Sequence, residues 1–130
     1  MKLLLLGFAL SAGVAFAQTP APTSPPPIKR TLLQKIDLGD KEKIMAIAEI
    51  APGAAAGRHF HAGVETGYVL EGEATMEIEG EAPRVVKAGD SFTIPAGKAH
   101  DAATRGDKPV KVLAVYVVEK GKPLATPAPK

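Results

Sequence analysis

Residues 57–74 read GRHFHAGVETGYVLEGEA. Two of the chain's three histidines, His59 and His61, stand here with one residue between them, and Glu65 follows four residues after the second. In an extended strand residues i and i+2 project to one face, so His59 and His61 point together while Phe60 points away. A pair at that spacing can grip a single ion. The step Ala62-Gly63-Val64 carries a glycine, which permits a sharp change of direction before Glu65. Thr66 to Leu70 then reads as a strand and Glu71-Gly72 as its turn.

The same alternation continues outward in both directions. Ile44 to Ile50, Ala74 to Ile78, Arg84 to Val86, Ser91 to Ile94 and Val110 to Val118 are short apolar runs. Pro52-Gly53, Glu79-Gly80, Ala88-Gly89-Asp90, Pro95-Ala96-Gly97 and Arg105-Gly106-Asp107 divide them with residues suited to turns. No stretch of about ten residues in this region keeps a helical period, so the pattern predicts an all-β sandwich or barrel. The third histidine, His100, closes GDSFTIPAGKAH, residues 89–100, at the start of a further strand. Three neutral imidazoles and one carboxylate suit divalent first-row metals and need no sulfur. The chain has no cysteine, which excludes disulfides and thiolate ligands.

At 130 residues, 45% hydrophobic and with a net charge of +2, the chain suits one globular domain. Its positive charge is dispersed, with no cluster beyond Lys29-Arg30, which excludes nucleic acid as a partner. Lys2, the apolar run Leu3 to Ala15 and the small-x-small triplet Ala15-Phe16-Ala17 predict a cleaved signal peptide over 1–17 and a periplasmic or secreted protein. That run is short for a bilayer span and no basic anchor follows closely, so no stable membrane anchor is expected. QTPAPTSPPP, residues 18–27, reads as a proline-rich linker, 28–122 as the folded domain and 123–130 as a flexible tail.

Gly53, five residues, His59-x-His61, three residues, Glu65, six residues and Gly72 resemble the first cupin motif without a gap. Gly89, five residues, Pro95-x-Gly97, two residues and His100 are similar to the second. One position departs from the pattern: Thr104 stands where the second motif usually ends in asparagine. The resemblance implies a double-stranded β-helix, the cupin jelly-roll barrel. Inside it His59, His61, Glu65 and His100 hold one divalent transition metal (Fe, Mn, Ni, Co, Cu or Zn) with open positions for water, substrate or dioxygen. It also implies a homodimer, with Ile28 to Leu38 available as an exchanged N-terminal strand.

The remaining conspicuous residues are assigned to the framework. Gly53, Gly72, Gly89, Pro95 and Gly97 sit at turns, and Phe60, Tyr68, Phe92 and Tyr116 are read as core more than pocket. Met76 shares the parity of Ala74 and Ile78 and is placed inside the barrel, while Glu71, Glu73, Glu77, Glu79 and Glu81 make a solvated hairpin. Two functions fit. One is an exported metal-dependent dioxygenase acting on a small enol or dicarbonyl, with Glu65 also serving as proton acceptor. The other is a non-catalytic periplasmic protein that binds a metal or a small ligand.

Overall fold

The computed structural model describes residues 27–129. The expected signal peptide, 1–17, and all of the linker except Pro27 lie outside the described residues. Every regular element within them is a strand: Ile28–Asp37 (β1), Lys41–Ile50 (β2), His59–Phe60 (β3), Gly63–Glu71 (β4), Glu73–Ile78 (β5), Arg84–Lys87 (β6), Ser91–Ile94 (β7), His100–Thr104 (β8), Val110–Glu119 (β9) and Thr126–Pro127 (β10). They form two five-stranded antiparallel sheets, ordered β1-β2-β9-β4-β7 and β10-β3-β8-β5-β6. This is the jelly-roll barrel expected.

Period-two patterning decides what each strand buries. On β2, Ile44, Ala46, Ala48 and Ile50 are buried while Met45, Ile47 and Glu49 are only partly covered. β9 alternates likewise, with Val110, Val112, Ala114, Tyr116 and Val118 inward. Met76 is buried with Ala74 and Ile78, as the parity of β5 predicts. Gly53, Gly72, Gly89 and Gly97 all take positive φ, which accounts for glycine at those turns.

Gly63 has a different role from the change of direction expected of it. Its φ is not positive, and it lies within β4 where a side chain would collide with the backbone of Val117 and Val118 on β9. Glycine here permits close approach of two strands. Thr104 is anchored at its strand end: its hydroxyl lies 3.1 Å from the carbonyl of Ala51 and 3.0 Å from that of Ala54.

The C-terminal residues correct the expectation of a flexible tail. β10 pairs with β3, matching Thr126 to Phe60 and Pro127 to His59, and Ala128 N donates to Arg58 O. Their proline-rich composition offers little to bury, yet the free edge of β3 supplies backbone partners that composition does not reveal. At the other end, β1 forms the edge of the first sheet and leaves Leu32, Leu33 and Ile36 exposed, as is Leu38 just after it.

Candidate metal centre

The two sheets bring the four sequence-predicted ligands to one place. His59 on β3 is the direct cross-strand partner of His100 on β8. His61 lies just past the end of the two-residue strand β3, so its inward direction is set by the loop to Gly63 as well as by strand alternation. Glu65 enters from β4 in the opposite sheet, between Ile94 on β7 and Tyr116 on β9. All four side chains are buried. The three imidazole rings have centroid separations of 4.9, 4.3 and 5.0 Å.

Backbone carbonyls orient the rings. His59 Nδ1 donates to Gly57 O at 2.6 Å, His100 Nδ1 to Lys98 O at 3.0 Å, and His61 Nδ1 to Leu124 O in the C-terminal segment. A carbonyl oxygen can only accept, so each Nδ1 carries the proton, and a neutral ring must present a bare Nε2 lone pair. One ligand atom from each histidine lies within 4.8 Å of the others. Into the same space Glu65 projects Oε2, 2.9 Å from His61 Nε2 and 3.3 Å from His100 Nε2.

The electrostatics suit a cation. Burial raises the Glu65 pKa, but hydrogen bonding to His100 and His61 outweighs burial and lowers it to about 2. Burial lowers His59 to about 4, only partly opposed by its bond to Gly57, so His59 is neutral near pH 7. His61 Nε2 is buried without a hydrogen-bond partner, although an anionic oxygen faces it at 2.9 Å. The Glu65 carboxylate is held either by protons on the facing Nε2 atoms, as in the hydrogen bonds that lower its pKa, or by a cation that takes their place. Three nitrogen donors and one oxygen donor, with carbonyls fixing the imidazoles from behind, fit a divalent transition metal.

A cavity of about 40 Å³ adjoins these groups, walled mainly by apolar side chains, among them Ile50, Met76, Phe92 and Val112. Its polar lining is Arg30, His59, Glu65, His100 and Tyr116. Two of these were not singled out from the sequence as site residues. Arg30 appeared only as half of an isolated basic pair, and Tyr116 as an aromatic better suited to the core. The Tyr116 ring does pack in the interior, 4.9 Å from the His61 ring, but its buried hydroxyl has no hydrogen-bond partner.

A cupin-domain family model matches residues 46–116. The chain belongs to the cupin family. An oxalate-binding protein of Thermotoga maritima is 32% identical over 89 residues, covering 67% of this chain and 72% of that protein. Among solved structures, a double-stranded β-helix protein of Klebsiella pneumoniae superposes with a TM-score of 0.64 at 22% identity, covering 79% of this chain and 85% of that one. A recombinant oxalate oxidase in complex with glycolate gives a TM-score of 0.63 at 24% identity, covering 85% of this chain and 59% of that one. At these identities the two structures establish the barrel and nothing finer.

Proposed function

We propose that this chain is an exported metal-binding cupin whose centre takes a small chelating dicarbonyl or dicarboxylate. The observation that carries the reading is the fixed tautomer of the three histidines, which turns their Nε2 atoms toward an ionised Glu65. His59, His61, Glu65 and His100 would hold the ion, which supplies Lewis-acid polarisation of a chelating oxygen when bound. Fe, Mn, Ni, Co, Cu and Zn all suit this donor set.

The protein's own groups restrict the ligand. Most of the walls are apolar, and a cavity of about 40 Å³ admits only a few heavy atoms, since one water needs roughly 10–15 Å³. The similarity to an oxalate-binding protein supports a compact dicarboxylate and favours retention over turnover. A second reading, a dioxygenase of small enols or dicarbonyls, draws support from the place of Glu65 on the cavity wall beside the metal ligands, although its lowered pKa makes it a weak proton acceptor. Export is proposed from the N-terminal apolar run. The exposed leucines and isoleucine of β1 support pairing of two copies through that edge, which light scattering would test.

Calorimetric titration of oxalate into protein loaded in turn with Mn(II), Co(II) and Ni(II), with oxygen uptake followed in parallel, tests the function. Saturable metal-dependent binding without oxygen uptake is the expected result. Oxygen uptake with oxalate or a small enol would replace the binding reading with the dioxygenase, and no binding with any metal would overturn both.

A further inference from the structure

Arg30 stands on the inner face of β1 opposite Ala48, whose small side chain leaves room for a guanidinium to enter the barrel. Its Nη2 lies 3.3 Å from His59 Nε2, and a guanidinium can only donate, so Arg30 occupies the lone pair that metal binding requires. Its Nε is buried with no hydrogen-bond partner, and among the described residues no carboxylate forms an ion pair with it. The Tyr116 hydroxyl is likewise buried and unpartnered, close enough to feel both the Glu65 charge and the Arg30 guanidinium. The Arg30 guanidinium, its Nε unpartnered, and the Tyr116 hydroxyl, within reach of Glu65 and Arg30 but without a well-formed hydrogen bond, both border the metal cavity.

A neighbouring depression has the same sign. Arg30 and His59 also line a more open depression of about 230 Å³ whose other walls are Ala56, Gly57, Arg58, Ala125 and Pro127. Two guanidiniums and no carboxylate border it.

Resting on the metal-centre reading, we propose that Arg30 is both the gate of the metal site and the anchor that makes its ligand an anion. In metal-free protein Arg30 caps His59. Loading the centre requires Arg30 to leave that nitrogen, which places a half-buried guanidinium beside a second positive charge. A small carboxylate that reaches both the centre and Arg30 relieves this repulsion, and Tyr116 is positioned as its second donor. Metal and anion thus strengthen one another's binding, and the coupling must be equal in both directions. The ligand class is a compact carboxylate, not a neutral dicarbonyl.

The test measures Co(II) affinity without added carboxylate, and oxalate affinity of Co(II)-loaded protein, for wild type, Arg30→Met and Arg30→Lys. Arg30→Met removes the competing donor and is expected to bind Co(II) about threefold or more tightly, yet to bind oxalate about tenfold or more weakly, the size of one charge-assisted hydrogen bond. Arg30→Lys keeps the charge without the planar fork, so its oxalate affinity also falls while its Co(II) affinity stays near wild type. Unchanged Co(II) affinity in Arg30→Met overturns the gate, and unchanged oxalate affinity overturns the anchor. If Arg30→Met does not fold, an oxalate affinity of Arg30→Lys equal to wild type overturns the anchor. Failure of wild type to bind Co(II) at all would instead refute the metal-centre reading.

Discussion

Gly63 lies midway between two proposed ligands, and replacing it with alanine tests how closely the centre depends on sheet packing. A Cβ there would stand 1.9 Å from Val117 O, 2.6 Å from Val118 Cα and 2.8 Å from Val117 C, all backbone atoms. Ordinary contact begins at 3.4 Å, so β4 and β9 must part locally by about 1.5 Å. Overpacking of this kind costs about 1–3 kcal/mol, and each ladder hydrogen bond lost with it about 1 kcal/mol more. The Gly63–Val118 pairing and the neighbouring bond from Glu119 N to Ala62 O are the ones at risk. Gly63→Ala should therefore lose about 3–5 kcal/mol in urea denaturation. Its melting midpoint should fall by about 12 °C or more, at roughly 4 °C per kcal/mol for a domain of about this size. Gly80→Ala is the control: Gly80 has φ of 84° but nothing within 4 Å of an added Cβ, so only backbone strain of about 1–2 kcal/mol applies. A Gly63→Ala protein no less stable than Gly80→Ala would refute the steric argument.

Acid should unfold the metal-free protein in two overlapping steps. An unfolded histidine takes its proton near 6.5, while His59 in the fold resists protonation until about 4, so stability falls by about 2–3 kcal/mol as pH drops through that window. The contribution of Glu65 is complete above 4.5 and is lost as pH falls toward 2. Urea midpoints measured in a chelator should show the first step flattened in His59→Gln, and an identical slope would contradict it. Truncation after Pro123 removes the Leu124 carbonyl that orients His61 and should weaken metal binding about 10- to 100-fold; unchanged affinity would deny that carbonyl its role. Protein recovered from the exporting compartment should begin at Gln18, whereas a membrane-bound chain beginning at Met1 would exclude cleavage.

That His59, His61, Glu65 and His100 would come together was legible because they lie in two short stretches where spacing and strand parity nearly determine direction. His59 and His100 prove to be cross-strand partners, and Glu65 follows the inward parity of β4. Arg30 and Leu124 were not legible as site residues, because each acts on a histidine across a long separation, 29 residues for Arg30 and 63 for Leu124. Nothing local in Lys29-Arg30 distinguishes a solvated pair from a side chain threaded into the barrel; the decisive fact is the register that sets Arg30 opposite Ala48. Tyr116 was half legible. Its burial follows from the alternation of β9, but the empty hydrogen-bonding position at its hydroxyl depends on three strands meeting. Gly63 was read as a turn because a sequence does not distinguish a glycine needed for φ from one needed for clearance.

The central claim is that His59, His61, Glu65 and His100 form one metal centre. Elemental analysis of metal bound to purified, folded protein after equilibration with a divalent transition metal and removal of the excess tests it most directly. Wild type should retain one ion per chain and His100→Ala should retain none, with the apo forms of the two melting alike. Full occupancy in His100→Ala, or no bound metal in folded wild type across Fe, Mn, Co, Ni, Cu and Zn, would contradict the account.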